Sequence, residues 1–186
     1  MTQIQKGKYL FLIDIEDTKE HHKNLELCEC PNCQNFYTQI KGKFPRLDVF
    51  LEEFGIDVEK PDAIDGAYLG NHAEYTWIDY TVSGRMEAID GHKVAYEEQL
   101  ELKLDDFPAT IVISEHFIFP NEREGECFAV SIKGLSLPWV LEEERTSPPI
   151  SDEEQTFTPI LEEEHRPNEP GLFAKLKQFF VKIMDK

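Results

Sequence analysis

"AEYTWIDYTVSGRM", residues 73–86, decides how the rest of the chain is read. It is dominated by aromatic and β-branched residues, it contains no proline, and its apolar positions recur with a period of two, which is the pattern of a β-strand. In that register Tyr75 and Trp77 share one strand face. Working outward, "YLG" before it and "EEQLELKL", "TIVISEHFIF" and "CFAVSIKGLSLPW" after it repeat the short period, separated by turn residues at Asp90-Gly91, Asp105–Pro108 and Asn121–Gly125. In "EQLELKL" the alternation puts Leu100, Leu102 and Leu104 on one face and Glu101 and Lys103 on the other, so one side of the sheet faces water.

Toward the N-terminus the period changes. Lys8–Ile15 reads as a first strand that runs into a polar stretch, Glu16–Glu26. Beyond it, Phe36, Tyr37, Ile40 and Phe44 recur at helical spacing, Pro45 interrupts, and Leu47, Phe50, Leu51 and Phe54 resume the spacing until Gly55. Pro45 suits the first turn of the second helix and Gly55 the residue just past its end. Helices grouped ahead of sequential strands with short turns predict an α+β fold: an antiparallel β-sheet covered on one side by helices. Its extent is residues 1–140.

The remaining chain changes character twice. Residues 1–140 hold 13 Lys and Arg against 26 Asp and Glu, residues 141–170 hold 2 against 10, and residues 171–186 hold 4 against 1. The middle segment, with acidic triplets and five prolines, reads as a self-repelling acidic linker. The last segment, "GLFAKLKQFFVKIMDK", places Leu172, Phe173, Leu176, Phe179, Phe180, Ile183 and Met184 on an arc of about 140° flanked by Lys175, Lys177 and Lys182, an amphipathic helix about 22 Å long. Such a helix can dock on the protein's own core, enter a partner protein, or lie on an anionic membrane surface; it is too short to span one. The acidic body repels phosphate backbones, which excludes nucleic acid as its partner. A short apolar run at Tyr9–Ile13, soon followed by Asp14 and Glu16, does not suit a secretory signal, and the expected compartment is the cytoplasm.

Three of the four cysteines, Cys28, Cys30 and Cys33, fall within "ELCECPNCQNF" at residues 26–36. Clustered thiols in a reducing compartment point to metal rather than bridges. Cys30 and Cys33 can bite one zinc ion across the turn at Pro31-Asn32, and Cys28 is near enough to be a third ligand. A tetrahedral structural site needs a fourth, for which Cys127 is preferred and His21, His22, His72 and His92 are alternatives. The same Cys30-Pro-Asn-Cys33 spacing also fits a thiol-disulfide oxidoreductase, although the polar stretch ahead of it is not the buried strand that such a motif normally follows. Reduced cysteines used simply as small packing groups are the bland reading. No phosphate-binding glycine loop, HExxH or nucleophile elbow is present, so catalysis has no positive signal. The preferred function is a non-enzymatic interaction module with a structural metal; a peripheral membrane protein is a further alternative.

The succession Cys28-x-Cys30-x-x-Cys33-x-x-Phe36, "FLEEFGIDVEKP", an aromatic strand ending in "SGR", and "LPWVLEEE" resembles a group of small acidic proteins of Firmicutes. The resemblance covers scattered stretches of residues 28–144 and excludes the basic tail. It implies a bacterial cytoplasmic protein of interaction or immunity type whose three clustered cysteines act together, and it names no reaction.

Overall fold

A computed structural model of the chain describes residues 1–117 and 125–141. In chain order the elements are β1 (Thr2–Lys6), β2 (Tyr9–Ile13), α1 (Ile15–Asn24), α2 (Pro31–Ile40), α3 (Pro45–Glu53), β3 (Ala63–Tyr68), β4 (His72–Ala88), β5 (Gln99–Leu102), β6 (Thr110–Ser114) and β7 (Cys127–Pro138). All strand pairs are antiparallel, in the order β1-β2-β4-β7-β6-β5 with β3 also on β4. The α+β expectation therefore holds. The acidic linker and the amphipathic helix, including Leu172, Phe173, Lys175, Leu176, Lys177, Phe179, Phe180, Lys182 and Ile183, lie outside the described residues.

The stretch quoted first is the organising strand. β4 runs for 17 residues and serves two partners on one edge, β3 along Ala73–Asp79 and β2 along Gly84–Ala88, while β7 occupies the other edge. The sheet curls until the β1–β2 hairpin meets β5: Tyr9 Oη donates to Glu98 Oε2 over 2.8 Å, and Lys8 Nζ lies 3.1 Å from the same carboxylate. Leu100, Leu102 and Leu104 pack against the core, as their alternation predicts.

One detail of the strand reading is corrected. Pairing between β3 and β4 slips after Asp65, leaving Thr76 as an extra residue, and opposite it on β7 stands Gly134 at φ 74°. Buried positions accordingly switch parity on both strands, from Ala73 and Tyr75 to Ile78, Tyr80 and Val82 on β4, and from Phe128, Val130 and Ile132 to Leu135 and Leu137 on β7. A residue inserted in a period-two ladder turns every later side chain over. Trp77 thus does not share the face of Tyr75; its indole N–H donates to Asp79 Oδ1 over 2.5 Å, and Lys133 Nζ stands over its ring, 5.4 Å from the centroid and within cation–π range.

The helical side of the core is built from Phe36 and Ile40 of α2, and Leu47, Phe50 and Leu51 of α3 with Phe54 just after it, all buried. Phe11 of β2 meets the rings of Phe54 and Phe128 at 5.8 and 5.4 Å, and Phe36 meets Tyr75 at 5.5 Å. Each such side chain stabilises the fold by about 2 kcal/mol through apolar burial. Pro45 begins α3 and Gly55 follows its cap at φ 80°, as the sequence requires.

The polar stretch after β2 forms a helix, α1. α1 lacks apolar periodicity because its buried positions, Thr18 and His22, are polar and hydrogen-bond to β4. Between Asp79 and Gly84 the edge of β4 has no strand partner, and buried backbone groups must still be paired. Thr81 N donates to Asp62 Oδ2 (2.7 Å), His22 Nε2 lies 3.1 Å from Thr81 O, Ser83 N donates to Thr18 Oγ1 (3.1 Å), and Asp14 N donates to Ser83 O (2.9 Å). Side chains thus replace the missing length of strand.

His22 is 1% exposed, with its other nitrogen 2.9 Å from Lys60 O. Burial holds its pKa below the ordinary 6.5, against the pull of the Lys60 and Thr81 carbonyls and of Asp62, with the neighbouring His21 adding to the depression. Asp62 is held below its ordinary 3.8: burial acts to raise it, and hydrogen bonds from His21 and Thr81 N outweigh that. Both groups bind protons more readily when unfolded, so stability is lost as pH falls. Urea unfolding at a series of pH values is expected to show a decline below pH 6.5 from His22 and a second below pH 3.8 from Asp62. His92, raised by Asp90 and Glu98 on the surface, works in the opposite sense, so the check is the difference between wild type and His22→Gln. That variant is expected to lose about 2 kcal/mol at neutral pH and the first decline with it.

Candidate metal centre

Pro31 opens α2 as Pro45 opens α3, since its missing N–H would have no helical partner there and its ring presets the backbone. Cys30 is the residue before the helix, with extended backbone (φ −67°, ψ 152°), and Cys33 is the third residue within it. Cys28 and Cys30 are exposed and Cys33 is buried. The three Sγ atoms lie within 4.8 Å of one another, and among the described residues this is the one group of three such donors so placed.

α2 is held to the end of the sheet by polar contacts that the periodicity argument did not identify. Asn35, fully buried, donates through Nδ2 to Tyr75 Oη (3.1 Å) and Pro138 O (3.2 Å) and accepts at Oδ1 from Val140 N (2.9 Å). Tyr75 Oη donates to Asn32 O (2.9 Å), and Asn32 Nδ2 donates to Gly66 O (3.1 Å). These bonds tie the first turn of α2, and with it Cys33, to β3, β4 and β7. The signal was one polar residue on an otherwise apolar helical face. Asn35→Ala is expected to cost about 2 kcal/mol, because it strands the buried groups it served; thermal unfolding of the purified variant checks this.

Cys30 and Cys33 are shifted in opposite directions. Burial pushes Cys33 up to about 12, reinforced by the adjoining sulfurs of Cys30 and Cys28. At Cys30 burial also acts upward, but the N–H groups of Cys33 and Asn32 and the thiols of Cys33 and Cys28 outweigh it and hold the group below its ordinary 9.0. Those N–H groups face Cys30 without closing a capping hydrogen bond. Tyr37 is raised by burial first and then by Cys33. One thiolate among the three therefore opposes the next, and a cation between them would reverse that opposition.

None of the other proposed ligands joins the three sulfurs within 4.8 Å. Cys127 begins β7 opposite Ser83, whereas α2 binds Pro138 at the far end of that strand, roughly 35 Å away at the usual rise of an extended chain. The expectation that Cys127 completes the set is corrected on this geometry. His21 pairs with Asp62 at 2.6 Å, His22 lies against Lys60 O and Thr81 O, His72 contacts Asn71 (2.8 Å) and Glu74 (3.1 Å), and His92 contacts Asp90 (2.5 Å) and Glu98 (3.1 Å).

Among the described residues no helix is long and apolar enough to cross a membrane. Comparison with family models, curated proteins and solved structures gives no significant match.

Proposed function

We propose that the chain is a non-enzymatic bacterial interaction module, acting in the cytoplasm, in which Cys28, Cys30 and Cys33 hold a structural zinc ion. The observation that carries this reading is the approach of the three sulfurs to within 4.8 Å. Zinc–sulfur bonds of about 2.3 Å in a tetrahedron put thiolates about 3.8 Å apart, so only small side-chain movements separate these thiols from a ligating set. Two exposed cysteines give the ion a route in, and the buried third anchors it to α2. Three thiolates are soft donors, which favours zinc over magnesium or calcium. The fourth position of a closed structural site is left to a side chain of a partner protein; a water there would make the site an open one and revive a hydrolytic reading.

The likeness to small acidic Firmicutes proteins agrees with this role but supplies no reaction. In the same reading the segment 171–186 serves docking, to a partner protein or the protein's own core; recruitment to an anionic membrane is the competing use. Protein purified without chelator is expected to carry about one zinc per chain. Zinc no higher than in a chain with all three cysteines replaced by serine would sink the proposal.

A further inference from the structure

We infer that the cysteine triplet is a redox-gated metal site, in which a low-molecular-weight disulfide joins Cys30 to Cys33 and expels the ion. The gating rests on the zinc reading above; the thiol chemistry rests on geometry alone. Cys30 is exposed at the start of α2 and open to an external reagent, whereas Cys33, 5% exposed and three residues on, is shielded from one. Their sulfurs already lie within 4.8 Å. Residues three apart at the first turn of a helix have Cα atoms about 5–6 Å apart, inside the range that a disulfide spans. The attacking thiol is thus accessible and the resolving thiol protected, which makes the second step internal. The bonds holding α2 through Asn32 and Asn35 keep Cys33 in place for it.

The Cys30 thiolate attacks one sulfur of the reagent disulfide; that S–S bond breaks and its electron pair leaves on the first reagent thiolate. In the stripped chain Cys33 then gives its proton to solvent, and in the zinc-loaded chain it leaves the ion already as a thiolate; its sulfur attacks Cys30 Sγ, and the bond to the second reagent thiolate breaks. The protein has lost two electrons, and the reagent has become two thiols, whose protons come from the cysteines in the stripped chain and from solvent in the zinc-loaded one. Two of the three metal donors are consumed, and Cys28 alone cannot retain the ion.

The test uses the full chain, zinc-loaded and chelator-stripped, titrated with oxidised glutathione and followed by intact mass, peptide mapping and a zinc-responsive dye. Wild type is expected to end with a Cys30–Cys33 bridge, no lasting glutathione adduct, and release of its zinc in step with bridging. Cys33→Ser, with Cys33→Ala as the variant that leaves no buried hydroxyl, is expected to stop with glutathione on Cys30. Cys28→Ser should still bridge, and Cys30→Ser should slow the first step at least about tenfold. A bridge that uses Cys28, an adduct that persists in wild type, or modification of Cys30 no faster than of Cys127 overturns the inference. The arms separate the two claims. A stripped chain that bridges but never binds zinc removes the metal and its gating while keeping the thiol step. A chain that binds zinc and resists glutathione removes this inference alone.

Discussion

Gly84→Ala is expected to destabilise the fold by about 4 kcal/mol, a large part of the 5–15 kcal/mol that holds a typical domain. Gly84 lies in β4 at φ 141°, a backbone conformation in which a side chain is strained, and it pairs with Ile13 of β2. A Cβ there would fall inside van der Waals contact of Leu12 O and 3.0 Å from Ile13 Cα. Neither neighbour is the end of a flexible side chain, so the strand pair itself would have to separate. That separation would reach both sides of β4, where Asp14 N donates to Ser83 O beside β2 and Gly84 N donates to Glu126 O at the start of β7. Urea unfolding, or failure to recover folded protein at 37 °C, is the measurement. A midpoint within experimental error of wild type would show that the close approach is relieved without cost.

Cys33→Ser is expected to lower zinc affinity by at least about a hundredfold and to remove the stabilisation that the ion supplies, while Cys127→Ser changes neither. At a free zinc concentration a hundred times the dissociation constant, binding stabilises the fold by about 2.7 kcal/mol. For a chain of this size that is about 8 °C in melting temperature. The two substitutions are a matched pair: each replaces sulfur by oxygen, but only Cys33 lies in the triplet. Calorimetry with and without chelator reads the difference. Equal chelator sensitivity in wild type and Cys33→Ser, or loss of zinc from Cys127→Ser, would contradict the assignment. The buried hydroxyl in Cys33→Ser carries its own small cost, so the chelator-dependent shift is the quantity compared rather than the absolute melting temperature.

The parts of the fold legible beforehand were those whose buried faces are apolar. Phe36 and Ile40, then Leu47, Phe50 and Leu51, marked α2 and α3; Pro45 and Gly55 marked the limits of the latter. Leu100 and Leu102 marked β5. α1 was hidden because Thr18 and His22 are buried for their hydrogen bonds, and a polar inward face gives no hydrophobic period. β1 was hidden because "TQIQK" forms an edge strand with Ile4 as its sole apolar residue. The cysteine triplet was visible as spacing, but its separation from Cys127 was not.

Local sequence by itself determined the α+β class, the order of helices α2 and α3 before β3–β7, and the nearness of Cys28, Cys30 and Cys33, since each depends on residues a few positions apart along one chain. Tertiary structure alone decided the parity switch at Thr76 and Gly134, the use of α1 to complete the edge of β4, and the placement of Cys127 at the wrong end of β7 for the triplet. The physical reason is common to all three. Backbone groups and side chains distant in sequence must be paired and packed against one another, and which partner each meets is set by the register of the assembled sheet, a property that no short stretch of chain contains.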